Sequence, residues 1–270
     1  MCRVIDLQQA VLARNEDAAR ELRAALTARG TVAVNLLSSP GSGKTALLEA
    51  ELVLAGQRGI PAAALTADLA TENDALRLAR SGAPVKQVLT DGLCHLEAAM
   101  LARHLDGWLP DDTRLLFVEN VGNLVCPASY DLGESLRVAL ASVTEGEDKP
   151  LKYPTAFGLA HLVVVTKADL ADAVGFDEKS FLANIERVNP GVEVVFTSAR
   201  TGEGVGQLLD RACAVLDGGA VHRPVMGVPA AGHHHGPPQT AGHGHSHEGG
   251  HLHSHGHAHG APAELPLDAS

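Results

Sequence analysis

Residues 38–45 read Ser-Ser-Pro-Gly-Ser-Gly-Lys-Thr and follow the apolar run at 31–37. A strand feeding a glycine-rich turn that ends in Lys-Thr and opens a helix is built to hold phosphate. Gly41, Ser42 and Gly43 let backbone N–H groups curl toward an anion with little side chain in the way. Lys44 has the reach for β- and γ-phosphates, and the Thr45 hydroxyl is a ligand for the Mg²⁺ that accompanies them. Ser38 stands where the general pattern has its first glycine. A Gly-Ser turn of no function is the competing reading, but it does not account for the strand before and the helix after.

Two later stretches bear on the base. Thr166-Lys167-Ala168-Asp169 follows the apolar run 161–165, and Thr197-Ser198-Ala199 follows 192–196. Guanine offers N1–H and an exocyclic amino group side by side, so one carboxylate, Asp169, can accept from both. Adenine would leave that charge desolvated and unpaired. The Lys167 stem can cover the base plane, the Ala199 N–H can donate to O6, and Ser198 lies at the same strand end. Thr166 replaces the usual Asn, a change that bears on loop bracing more than on base choice. These positions favour GTP and GDP, against the alternative of a surface Lys-Ala-Asp triplet. Asp68 and Glu119 end two other apolar runs and are the carboxylates placed to orient Mg²⁺ waters. Gly122 follows at a position where its N–H could meet a γ-phosphate and be released on hydrolysis. Capping a helix is the ordinary alternative for Glu119.

Cys94-His95 and Cys126-Pro127 form a second constellation. Thiolate and imidazole together suit Ni²⁺ or Zn²⁺. A helix starting at Cys94 would lower its thiol pKa. Three ligands leave a four-coordinate site open, to be completed by water or a second subunit. Equally, Cys94 and Cys126 could be small buried apolar groups and His95 a core residue. Cys213 reads as core. Cys2 is alone, although an N-terminal amine and thiolate can share a metal. Near the end of the chain, His233, His234, His235, His243, His245, His247, His251, His253, His255, His257 and His259 lie among Gly, Ala, Ser and Pro. Neutral imidazoles on such a segment can bind Ni²⁺, Zn²⁺ or Cu²⁺ with little selectivity. An expression tag would be contiguous, whereas these are interleaved.

The elements that must position these groups follow from periodicity. A leading helix carries Leu7, Val11, Leu12, Leu22 and Leu26 and ends at Gly30; further helices are expected at 45–58, 73–80, 94–105, 177–188 and 204–216. Strands are expected at 31–37, 61–66, 85–89, 114–118, 136–143, 161–165 and 192–196. Alternation of this kind predicts an α/β fold, a three-layer P-loop NTPase with a mainly parallel sheet and ligands beyond the strands' carboxyl ends. Residues 1–218 read as the nucleotide domain with its leading helix and 219–270 as a disordered His-rich tail with too little apolar surface to order itself. A formal net charge of -11 argues against nucleic acid. No run of ~20 apolar residues suggests a membrane span. The N-terminus lacks the apolar core of a signal peptide, and the four cysteines are scattered, so the cytoplasm is expected.

Together the segments 35–45, Gly92-Leu93-Cys94-His95-Leu96-Glu97-Ala98, 119–134, 150–154 and the Lys167/Asp169 pair resemble the hydrogenase nickel-incorporation GTPase family, HypB. The resemblance spans nearly all of residues 4–216 and includes Ser38. It implies a slow GTPase that hydrolyses GTP to GDP and phosphate, with nucleotide- or metal-promoted homodimerisation. It further implies Ni²⁺ or Zn²⁺ on Cys94, His95 and Cys126 at the dimer interface, and Lys152 near the nucleotide or the other protomer. The implied partners are the companion nickel-binding maturation protein and, downstream, the hydrogenase large subunit. Two departures stand out: only Cys2 is present where some members carry an N-terminal Cys-x-x-Cys-Gly-Cys site, and the His-rich segment is C-terminal. Other readings are a nickel-storage protein acting through its tail, a urease-type accessory GTPase and a small-molecule kinase. The urease type would place a His after Cys-Pro, where this chain has Ala128, and Asp169 argues against the kinase.

Overall fold

A computed structural model describes residues 2–68, 73–90 and 92–227, with side chains from residue 10 onward and that of Asp68 excepted. In chain order the elements are α1 Cys2–Ala28, β1 Val32–Ser38, α2 Lys44–Gln57, β2 Ala62–Asp68, α3 Asn73–Ala79, β3 Val85–Leu89, α4 Ala98–Leu105 and β4 Leu115–Glu119. There follow β5 Leu136–Ser142, α5 Lys149–Lys152, α6 Pro154–Gly158, β6 Leu162–Thr166, α7 Ala171–Val174, α8 Glu178–Val188, β7 Val194–Phe196 and α9 Gln207–Leu216. The strands form one seven-stranded sheet in the order β3-β2-β4-β1-β5-β6-β7. Every pairing in it is parallel. The expected α/β architecture is thus present.

Alternation along the central strands explains the layering. Val34 and Leu36 of β1 face one side and pack with Leu47, Leu48 and Leu52 of α2, Leu78 of α3 and Leu208 and Leu209 of α9. Ala33 faces the other side, where Leu22 and Leu26 of α1 meet Leu101 and Leu105 of α4. Leu37, on that second side, joins Phe157 of α6 and Phe181 and Ile185 of α8. Both faces of β1 are covered, so its seven residues are all buried and read as a continuous apolar run.

Several boundaries differ from the sequence-based expectation. The helix expected from Cys94 begins at Ala98, and Cys94–Glu97 are irregular. Glu97 is extended (φ -110, ψ 152), and the Ala98 N–H is taken by the Asn15 side chain at 2.9 Å. The stretch 204–206 is a loop, because Gly204 and Gly206 are left-handed, and α9 starts at Gln207. The loop expected through Pro150 contains α5, whose Lys149 pairs with Glu145 at 2.7 Å. Beyond the expected boundary at 218, His222 Nε2 bonds Asn189 Oδ1 at 2.8 Å and Pro224 is buried. The tail histidines 233–259 and residue 1 lie outside the described residues, as does the Cys2 side chain. Among the described residues no helix is long and apolar enough to cross a membrane.

Glu51 of α2 ties α2 to α9. It is fully buried and accepts from the N–H of Gly206 (3.0 Å) and of Leu209 (3.2 Å). Burial pushes its carboxyl up to about 7, although the two N–H bonds oppose that rise. Between the ordinary value of 4.5 and about 7, the folded chain therefore binds more protons than the unfolded chain. Stability must then fall as pH rises through that window, by roughly 3 kcal/mol for a shift of this size. Melting curves of the protein and of Glu51→Gln are expected to diverge in this way from about pH 5 to about pH 8. A difference that stays constant with pH would exclude the titration.

Candidate functional site

The carboxyl ends of β1, β4, β6 and β7 gather the residues singled out above. The 38–45 turn leaves β1 with Gly41 at φ 71 and Gly43 at φ 90, conformations in which glycine is free and other residues are strained. Residues 39–46 line a cavity of about 430 Å³, to whose wall Val121 and Gly122 also contribute. Lys44 Nζ donates to Glu119 Oε1 at 3.0 Å, and Thr45 Oγ1 donates to the same oxygen at 2.6 Å. Glu119 is 1% exposed, and its other oxygen, Oε2, is buried without a hydrogen-bond partner, as is Ser42 Oγ. A buried carboxylate oxygen beside a threonine hydroxyl and a phosphate cradle suits a hard divalent cation such as Mg²⁺. Asp68 ends β2, next in the sheet to β4. The sequence alone did not single out Asp74 and Arg77 of α3, which line the same cavity. Arg77 Nε donates to Glu49 at 2.6 Å.

A second cavity, about 230 Å³, shares Gly43 and Ala46 with the first and is lined by Leu47, Lys167, Asp169, Ser198 and Ala199 among others. Asp169 accepts from Ser198 Oγ at 2.5 Å and from Arg200 Nε at 2.8 Å. These bonds, Ser198's foremost, hold the Asp169 carboxyl below its ordinary range. Lys167 is left-handed (φ 57) and is the one described non-glycine residue with positive φ. Its Nζ donates to the Gly41 carbonyl at 2.7 Å, which lays the stem beside the phosphate turn. Thr166, standing for Asn, still braces the loop: its hydroxyl donates to the Ser42 carbonyl and lies 3.3 Å from that of Ala141.

The connection from β4 to β5 reaches from this nucleotide side to the cysteines. A Cβ placed on Gly122 would meet Pro40 Cα and Cγ at 3.2 Å, so this glycine lies directly against the phosphate turn. Farther along, Cys126 comes close enough to the Cys94 thiol to act on its pKa. Cys94 Sγ is 3.7 Å from His95 Nδ1, and the His95 ring stacks on Tyr130 with centroids 3.9 Å apart. His95 Nε2 is buried without a hydrogen-bond partner, the closest carboxylate oxygen, on Glu97, being 3.8 Å away. The donor chemistry, two thiols and an imidazole, fits Ni²⁺ or Zn²⁺. Among the described residues, however, no three His, Cys, Asp or Glu side chains converge as a closed metal-ligand set. One inference from the sequence is corrected: Cys94 lies in irregular chain, three residues intervening before the helix begins at Ala98, and its thiol pKa is raised, by the neighbouring Cys126 and by burial, rather than lowered.

The end of this connection is anchored by charge. The buried Glu134 accepts from Arg137 Nε at 2.6 Å, and Arg137 donates to the carbonyls of Ala128 and Tyr130, both at 3.1 Å. Burial alone would raise the Glu134 carboxyl, but the Arg137 charge outweighs it and draws it well below the ordinary range. Asn35 in the middle of β1 bonds both Glu134 (3.4 Å) and Asn120 (3.3 Å). Lys152, by contrast, is exposed and pairs with Asp148.

Residues 32–196 match the family described as CobW/HypB/UreG, nucleotide-binding domain. The hydrogenase maturation factor HypB of Azotobacter chroococcum mcd 1 is 47% identical over 207 residues, which cover 77% of this chain and 68% of that protein. Among solved structures, HypB from Archaeoglobus fulgidus aligns with TM-score 0.70 and 38% identity over 76% of this chain and all of its own. HypB from Helicobacter pylori, solved in complex with nickel, aligns with TM-score 0.68 and 34% identity over 76% of this chain and 94% of its own. With more than half its length inside that family's domain and its folded body matching these relatives, this chain belongs to the HypB family of hydrogenase maturation factors.

Proposed function

We propose that the protein is a GTP-hydrolysing nickel metallochaperone for nickel–iron hydrogenase, in which nucleotide state is coupled to dimerisation and to metal binding and release. The observation that carries this reading is the β4–β5 connection. One short segment begins at Glu119 against Lys44 and Thr45, lays Gly122 on Pro40, and brings Cys126 to Cys94. A change at the γ-phosphate therefore reaches a thiol through a few residues of continuous chain. The nickel in the Helicobacter pylori relative supports a nickel cargo here, with Zn²⁺ as the competing ion.

The chemistry follows from positioning. The N–H groups of the phosphate turn and Lys44 balance charge on the transferring phosphoryl, so that a water attacks in line and GDP leaves. Thr45 and Glu119, with Asp68 at the neighbouring strand end, would hold Mg²⁺, which supplies further charge neutralisation to the β- and γ-oxygens. Asp169 selects guanine, the Lys167 stem covers it, and Ser198 fixes the carboxylate that reads it. Gly122 can donate its N–H to the γ-phosphate and is freed when that group departs. Three donors per chain, Cys94, His95 and Cys126, favour a metal shared by two copies. The partners this predicts are a second copy, the companion nickel-binding maturation protein and then the hydrogenase large subunit, in the cytoplasm. The His-rich segment would serve as a local reservoir of the same metal.

The test is nickel affinity of the full chain, read by thiolate-to-nickel charge-transfer absorption, which tail imidazoles do not produce. It is measured once with Mg·GDP and once with Mg and a non-hydrolysable GTP analogue. A shift of about tenfold, or roughly 1.4 kcal/mol of coupling, is expected, with the absorption lost in Cys126→Ala. Equal affinities in the two states would sink the coupling, and absence of the thiolate absorption in both would leave a GTPase whose nickel role lies in the tail, which is the storage reading.

A further inference from the structure

The two segments that carry the donors are far apart in sequence and come from different loops, so something must set their spacing. Cys94 and His95 lie in the irregular approach to α4, and Cys126 lies in the β4–β5 connection. Asn15, on α1, touches both. Its Oδ1 accepts the Ala98 N–H at 2.9 Å, and its Nδ2 donates to the Asp131 carbonyl at 2.7 Å. The residue is 6% exposed, so both bonds are made away from solvent. Around it α1 grips the same connection twice more. Arg23 donates to both oxygens of Asp131 at 2.7 Å, and Gly133 approaches so closely that a Cβ there would stand 2.6 Å from the Ala19 carbonyl.

We propose that Asn15 is a positioning residue for the cysteine–histidine site, bridging the loop that carries Cys94 and His95 to the segment that carries Cys126. The proposal rests on the metal reading given above. The leading helix then has a task besides covering the sheet. It fixes the far end of the β4–β5 connection, so that motion at Gly122 is confined to the residues between it and Ala128. It also holds the Cys94 loop to the same anchor. The amide suits this role because one side chain supplies an acceptor in one direction and a donor in the other.

Asn15→Ala removes both bonds, whereas Asn15→Asp keeps the acceptor toward Ala98 and puts an anion against the Asp131 carbonyl. Three readouts on the full chain separate the possibilities. Nickel affinity, followed by thiolate charge-transfer absorption, is expected to fall about 10–100-fold in Asn15→Ala and less in Asn15→Asp, as for groups that orient metal ligands. Affinity for a fluorescent GDP analogue is expected to stay within about twofold, since the phosphate and base cavities do not touch Asn15. The rate at which diamide joins Cys94 to Cys126, located by peptide mapping, is expected to fall with the nickel affinity. Unchanged nickel affinity and unchanged disulfide rate in a folded variant would overturn the proposal. So would an equal loss of nucleotide binding, which marks a general structural defect. If the unaltered protein shows no thiolate absorption, the metal reading itself fails; the disulfide rate then still reports whether Asn15 sets the spacing.

Discussion

Asp169→Asn is expected to invert base preference. In the proposed reading the carboxylate accepts from two adjacent donors of guanine, and in the variant one of its acceptors becomes an amide N–H₂ facing the guanine amino group. One charge-assisted hydrogen bond is lost, the other becomes a neutral one, and a donor–donor contact is gained, which amounts to about 3–4 kcal/mol, or two to three orders of magnitude in GDP affinity. Xanthine carries a carbonyl at that position and can accept from the new amide, so xanthosine diphosphate should bind the variant better than GDP does. The side chain is at the rim of the base cavity, between Ser198 and Arg200, and the substitution leaves the core untouched. Equilibrium binding of the two diphosphates to both proteins decides the matter. A parallel loss for both bases would mean that Asp169 braces the loop and does not read the base.

Lys44→Ala should carry the largest kinetic effect. Lys44 Nζ and Glu119 Oε1 are 3.0 Å apart, with side chains 10% and 1% exposed. Loss of the ammonium removes a cation from the transferring phosphoryl, for which a 10²–10³-fold fall in turnover is roughly the measure. It also leaves Glu119 buried with Thr45 as its remaining donor, a defect of about 3–5 kcal/mol in the nucleotide-free protein. The two effects separate in the double variant Lys44→Ala/Glu119→Gln, which should recover stability but not hydrolysis. Recovery of both would show that Lys44 acts only by neutralising Glu119. Turnover by phosphate release and stability by denaturant midpoint are the two measurements.

What could be read in the sequence was what lies contiguous in it. The phosphate turn, the Lys167/Asp169 pair and the strand ends are local patterns, and strand alternation with helices carried the sheet. What could not be read depends on residues meeting across long separations. The start of α4 was misplaced because its first N–H is capped by Asn15, from another helix, and no local signal at 94–98 announces that. Glu51 carries no local signal of its burial, which comes from the approach of α9. Glu134 and Arg137 sit three residues apart with no local mark of burial, and packing encloses them and makes them the anchor of the Cys126 segment. Arg77 gave no sign of standing at the phosphate cavity until α3 was placed beside it.

The strand order has a consequence for a chain still on the ribosome. Asn15, Arg23, Cys94, Cys126, Asp131 and Arg137 all precede the end of β5, and the sheet they need, β1 to β5, is complete once Ser142 has emerged. The base cavity waits for Lys167 and Asp169 after β6 and for Ser198 after β7, the outermost strand on that side. If the nascent protein folds from its N-terminus as it is made, its thiols and imidazole assemble before it can recognise a guanine. Under the proposed coupling, the cysteine–histidine cluster would answer to no nucleotide for that interval, and delivery of the last two strands would bring it under control.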